Sequence, residues 1–149
     1  MDFKELLLQA QSILEDQPNQ QALLANASAF IYQSIPDLNW AGFYLFDGEK
    51  LTVGPFQGLV ACHTIQLGHG VCGEVAQTLK TKIVDDVLSH DNHIACDANS
   101  RSEIVLPLLK KGTLFGVLDI DSPIYHRFDA PLAEFLEQFV EILAKLIDN

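Results

Sequence analysis

The stretch from Ile104 to Asp121 constrains the fold of this chain more than any other. Two apolar arms, Ile104-Val105-Leu106-Pro107-Leu108-Leu109 and Thr113–Asp121, flank Lys110-Lys111-Gly112. A glycine-bearing turn between two such runs is a hairpin signal, so an antiparallel sheet is expected here. Pro107 has no N–H to give to a ladder, which puts it at an edge or a bulge. Alternation along the second arm places Phe115, Val117, Asp119 and Asp121 on one face. Two carboxylates inside an apolar strand are costly unless paired or partly protonated. A strand end turning to solvent explains Asp121 more easily than Asp119.

A second hairpin is expected around Asp47-Gly48, between Trp40–Phe46 and Leu51–Val53. Its first arm turns Trp40, Gly42, Tyr44 and Phe46 to one side and Ala41, Phe43 and Leu45 to the other. Only Gly42 stands between the two larger aromatics, which leaves a slot beside them; plain core packing is the simpler use of such a pair. Helices frame these strands. Asp2 followed by Glu5 reads as a helix start, with Phe3, Leu6, Leu7, Ala10, Ile13 and Leu14 as its apolar stripe. A second helix is expected from Pro18, carrying Leu23, Leu24, Ala27, Phe30 and Ile31 and stopping before Pro36. Asp129 caps a long last helix whose apolar side holds Leu132, Phe135, Leu136, Phe139, Val140, Ile142, Leu143 and Leu146. These helices are core or dimer surface and hold no chemistry.

Between the hairpins, Gly58 to Leu67 reads as a strand with Cys62 on the same side as Val60 and Thr64. Next come Gly68-His69-Gly70-Val71-Cys72-Gly73, a short helix to about Leu79, and a strand Thr81–Val84 ending in Asp85-Asp86. The glycine pattern formally matches a dinucleotide-binding turn, but the further βαβ units such a site needs are missing. A smaller function survives: the amides of Gly70, Val71 and Cys72 open a helix, and a helix N-terminus binds an anion such as a carboxylate.

At 149 residues, with 48% apolar and 19% charged side chains, the chain suits one ordinary globular domain. The net charge of −11 repels phosphate backbones and anionic lipid, which argues against nucleic-acid and membrane partners. No apolar run approaches a membrane span, and the N-terminus lacks a secretory signal's basic start, so a cytoplasmic protein is expected. An odd count of three cysteines, Cys62, Cys72 and Cys96, disfavours a static disulfide framework there.

Chemistry concentrates in the polar run His93 to Glu103, where Cys96 reads as a nucleophile on a loop. A solvated turn with a small apolar cysteine is the plainer reading. Zinc would need His63, His69 or His93 as a fourth ligand, and the cysteine spacings match none of the close pairs of structural sites. A Cys96–His93 hydrolase lacks an oriented third group. Three thiols beside acidic groups suit redox work better: a thiolate attacks, and a second thiol resolves the sulfenic acid as a disulfide.

Seven stretches sharpen this. They are Asn39-Trp40-Ala41-Gly42-Phe43-Tyr44, Gly54-Pro55-Phe56-Gln57-Gly58, Ala61-Cys62, Gly70-Val71-Cys72-Gly73, His93-Ile94-Ala95-Cys96-Asp97, Ser100-Arg101-Ser102-Glu103-Ile104 and Gly116-Val117-Leu118-Asp119-Ile120-Asp121-Ser122. In this order they resemble the free methionine-(R)-sulfoxide reductases, which are single GAF domains. The resemblance implies an α/β (α+β) fold over residues 1–149, with a central antiparallel sheet of five or six strands flanked by N- and C-terminal helices. It implies that Cys96 attacks, that Cys62 recycles it, and that Cys72 is an auxiliary or alternative resolving thiol. Glu103 and Asp121 would hold the polarised sulfoxide, Asp119 the substrate ammonium, and Trp40 the methyl end, with Tyr44 shaping the same wall. It further implies free L-methionine-(R)-sulfoxide as substrate, thioredoxin as reductant, no metal or organic cofactor, and a homodimer. One departure stands out: Ser89-His90-Asp91-Asn92 lacks the Pro-Gly that many members carry before the histidine.

Physical chemistry agrees with those roles. A sulfoxide oxygen must gain a proton as its sulfur is attacked, which calls for a carboxylic acid of raised pKa. Crowding Glu103 with Asp119 and Asp121 raises at least one of them. The same negative charge hinders Cys96 from ionising, unless a bound proton or the substrate ammonium relieves it. A free amino acid brings a cation for the acids and an anion for the helix start at Gly70–Gly73. The alternative is a GAF module that binds a small ligand without chemistry, and such a sensor has no need of Cys62 and Cys96 beside Glu103 and Asp121.

Overall fold

The computed structural model describes residues 1–92 and 96–148. Two helices open the chain, α1 (Phe3–Leu14) and α2 (Gln20–Ser34). Asp2 caps α1 by accepting from the Glu5 amide at 3.1 Å. The start of α2 differs from the expectation at Pro18. Asn19 is the cap, accepting from the Ala22 amide at 2.9 Å, because its side chain satisfies a helix-end amide and proline's cannot. Strands β1 (Trp40–Phe46), β2 (Lys50–Gly58) and β3 (Thr64–Gln66) follow, then helix α3 (Gly70–Thr78) and strand β4 (Lys82–Val84). After a short 3-10 turn at Val87–Ser89 come β5 (Ser102–Lys110), β6 (Thr113–Ser122) and helix α4 (Ala130–Asp148). Asp129 caps α4 through the Leu132 amide.

All six strands pair antiparallel, in the order β3-β2-β1-β6-β5-β4. Among the described residues neither a parallel pair nor a βαβ unit accompanies the glycine-rich turn, so the dinucleotide reading has no scaffold there. Strand β2 runs longer than Leu51–Val53, through Pro55 to Gly58. The strand expected from Gly58 to Leu67 is only β3. Gly58 turns to φ +133°, where a Cβ would meet the Trp40 ring at 2.6 Å, and the chain leaves the ladder there. Cys62 therefore sits on a loop. Pro107 lies on β5, whose outer neighbour β4 pairs only Glu103–Val105, so proline occupies a stretch with a partner on one side.

Strand alternation divides the interior into two cores. On one face Ala41, Phe43, Leu118 and Ile120, all fully buried, pack against α1, α2 and α4. On the other Trp40, Tyr44, Val105 and Val117 pack against α3. Phe115 departs from its expected side and packs with the three-helix core. Leu108 pairs with Gly116 and Leu109 with Leu114, so Phe115 is the extra residue of a bulge, and the alternation restarts beyond it. Among the described residues no helix is long and apolar enough to cross a membrane.

Candidate active site

Register alone brings three of the singled-out side chains into one row. Asp121 pairs with Trp40 on one side and with Glu103 on the other. Directly opposed residues hold their Cβ atoms about 5 Å apart on the same face. One step along, Asp119 pairs with Gly42 and Val105. Gly42 cannot be replaced there, since a Cβ would stand 2.2 Å from that of Phe56. The three carboxyls thus share the α3 face, against the like-charge rule for opposed pairs.

All three are buried, with Asp119 6%, Glu103 8% and Asp121 9% exposed. Asp121 does not turn to solvent. Burial raises each acid. Asp119 is pushed up to about 8, with the charge of Asp121 adding to burial. Glu103 and Asp121 are held well above the carboxylate range, by burial first and then by Asp119 and by Glu103 respectively. One oxygen of Asp119 and one of Asp121 are buried without a hydrogen-bond partner among the described residues. A buried polar atom left so is costly, and a ligand's N–H or O–H would satisfy it.

A cavity of about 40 Å³ lies over this cluster. Trp40, Tyr44, Gly70, Val71, Cys72 and Cys96 line it together with Glu103, Asp119 and Asp121. Every expected site residue except Cys62 is on that wall. Cys62 is nonetheless joined to it, because its sulfur is bonded to that of Cys96 in a disulfide, with the Cα atoms 5.4 Å apart. Cys72 is a free, buried thiol, and burial with the nearby Asp119 pushes its pKa up.

The aromatics act differently from a bare wall. The Trp40 indole donates to the Leu59 carbonyl at 3.1 Å, and the Tyr44 hydroxyl donates to the Cys62 carbonyl at 2.9 Å. Their rings stack, with centroids 5.8 Å apart. Both side chains thereby fasten the loop that holds Cys62. The α3 start carries no side-chain cap, and Gly70, Val71 and Cys72 of its first turn line the cavity.

Cys72 Sγ, a Glu103 oxygen and an Asp119 oxygen lie within 4.8 Å of one another, the one cluster of potential metal ligands among the described residues. Burial pushes all three towards their protonated forms, and each would have to lose its proton before it could ligate a metal. His63 and His69 are exposed and stand outside that cluster. His93, the remaining candidate for zinc or for a hydrolase, lies outside the described residues.

Some contributors escaped the sequence reading. The Asn39 amide donates to Asp97 at 2.9 Å and to the Ser100 hydroxyl at 3.1 Å, tying the segment after Cys96 to the foot of β1. Both Asn39 and Ser100 sat inside recognisable motifs, but short polar side chains beside a cysteine do not announce which partner they hold.

The family model described as GAF domain matches residues 18–148. Protein YtsP of Bacillus subtilis is 49% identical, over 98% of this chain and 91% of its own length. The free methionine-R-sulfoxide reductase of Escherichia coli is 45% identical, over 98% of this chain and 84% of its own. Among solved structures, free methionine-R-sulfoxide reductase from Neisseria meningitidis in complex with its substrate is similar at a TM-score of 0.94 and 40% identity. That match covers 98% of this chain and 88% of the other.

Proposed function

We propose that this chain, which belongs to the GAF domain family and within it to the free methionine-R-sulfoxide reductases, reduces free L-methionine-(R)-sulfoxide to L-methionine. The observation that carries the reading is one cavity lined by Cys96, itself disulfide-bonded to Cys62, and by three buried carboxyls that burial pushes towards their protonated forms. The preference for the R epimer rests on the relatives' names.

In the proposed reaction the substrate's methyl end lies against Trp40 and its ammonium meets Asp119. Its carboxylate takes the open amides at Gly70, Val71 and Cys72. The Cys96 thiolate attacks the sulfoxide sulfur while Glu103 or Asp121 gives a proton to the oxygen. That oxygen passes to Cys96 as a sulfenic acid and methionine leaves: the Cys96 sulfur is oxidised by two electrons and the substrate sulfur reduced by two. The Cys62 thiol then displaces the hydroxyl, water departs, and the Cys62–Cys96 disulfide forms. Cys72 is held as a thiol by burial, which favours Cys62 as the resolving group and leaves Cys72 an auxiliary one. A dithiol protein, thioredoxin, restores the pair. The protein works in the cytoplasm as a homodimer through its terminal helices, a surface on which Leu8 and Ile13 of α1 stand exposed.

The test couples thioredoxin, its reductase and NADPH to each diastereomer of methionine sulfoxide. NADPH loss with the R epimer, little with the S epimer, and weak use of N-acetylated substrate are expected. No loss with the R epimer would rule the reading out.

A further inference from the structure

A polar knot lies beside the cavity, apart from the groups assigned above. Glu74 of α3 accepts from Lys82 Nζ at 2.7 Å, from His90 Nε2 at 3.0 Å and from Asn92 Nδ2 at 2.9 Å. The same Asn92 amide donates to the Gly68 carbonyl at 2.8 Å, so it also grips the turn that leads into α3. Glu74 is only 21% exposed; burial works against its charge, but the bonds from Lys82, Asn92 and His90 outweigh this and hold its carboxyl below the usual range. A carboxylate only accepts, so His90 presents Nε2–H to it.

Asn92 stands four positions before Cys96, and Asp97, bonded to Asn39, stands directly after it. The cysteine is therefore bracketed by two anchors, one on α3 and one on β1.

We propose that Glu74 is a positioning residue of the redox pair: through Asn92 and His90 it fixes the root of the Cys96 segment on α3, and so sets how readily Cys96 meets Cys62. The proposal rests on reading Cys62 and Cys96 as the working pair. Lys82 is 42% exposed and comes from β4, so it stabilises the carboxylate without touching the segment.

The experiment equilibrates the protein with glutathione redox buffers and reads the Cys62–Cys96 disulfide by thiol trapping and mass spectrometry. Thermal midpoints of the reduced forms are recorded alongside. Glu74→Ala should lower the disulfide's equilibrium constant about tenfold and Asn92→Ala several-fold, with the double variant falling short of the product of the two, since both remove the Glu74–Asn92 bond. Glu74→Gln, which keeps an acceptor for Asn92, should recover most of the loss, and Lys82→Met should change nothing. An unchanged constant in Glu74→Ala overturns the proposal. Additive losses, or a Lys82→Met loss equal to that of Asn92→Ala, overturn it as well. Should Glu74→Ala not fold, Asn92→Ala carries the test. No sulfoxide enters this assay, so an inactive wild type would remove the reductase reading while the role of Glu74 is still decided.

Discussion

Strand β6 faces two interiors at once, and they could hardly differ more. Leu118 and Ile120 look towards α1, α2 and α4, into a core of wholly buried apolar side chains. Asp119 and Asp121, their immediate neighbours, look towards α3 and stand almost as deeply buried without full hydrogen bonding. Burying an aliphatic side chain stabilises the fold by about 1.5–3 kcal/mol. Burying a carboxyl against two others costs stability, and the cost is met by shifting its protonation. One strand thus anchors the domain with its even-numbered residues and builds a proton-rich cavity with its odd-numbered ones.

The largest contrast is expected from Asp121→Asn. It should slow methionine formation in a single turnover by about 10²-fold or more, the scale of a lost general acid. Unfolding free energy should stay level or rise, since a buried acid is gone. Loss of stability together with an unchanged rate would reverse the assignment of the two faces. Leu118→Ala should do the opposite: about 2–5 kcal/mol less stability in denaturant unfolding, with the single-turnover rate of the folded fraction within about twofold.

pH separates the faces next. Asp119 has a carboxyl at about 8 in the folded chain against 3.8 when unperturbed. Between those values the folded state keeps a proton that the unfolded state has released. Stability is therefore lost as pH rises through that window, the reverse of an ordinary ion-paired aspartate. The thermal midpoint of the wild type should fall from about pH 5 to about pH 8, and Asp119→Asn should flatten the decline. A wild-type midpoint that is level or rising would contradict the buried acid. Smallest is Tyr44→Phe. It removes the bond to the Cys62 carbonyl, worth about 1 kcal/mol, and should slow disulfide closure several-fold while leaving methionine release nearly intact.

Local chemistry was legible in the sequence, and distant pairing was not. Asp2 and Asp129 as caps, the Lys110-Lys111-Gly112 turn and the two faces of β1 follow from short-range rules, and the structure holds them. The helix expected to begin at Pro18 starts two residues later, at Gln20, because the Asn19 side chain caps it and a proline ring can accept no amide. The bulge that turned Phe115 over depends on β5, a strand its own alternation says nothing about. In the site, the acids were conspicuous as charges in an apolar run, and the thiols by their number. The bonds from Trp40 and Tyr44 to the Cys62 loop were not, since they span 19 and 18 residues. Glu74 carries no local mark in the sequence. Only the fold brings Lys82, His90 and Asn92 around it.

The most direct test needs no reductant. Fully reduced protein is mixed with one equivalent of L-methionine-(R)-sulfoxide, and the methionine released and the cysteines oxidised are counted together. About one methionine per chain should appear with a new disulfide between Cys62 and Cys96, and Cys96→Ser should release none. Methionine formed equally well by Cys96→Ser, or no methionine from the wild type, would contradict a reductase built on that pair and its buried acids.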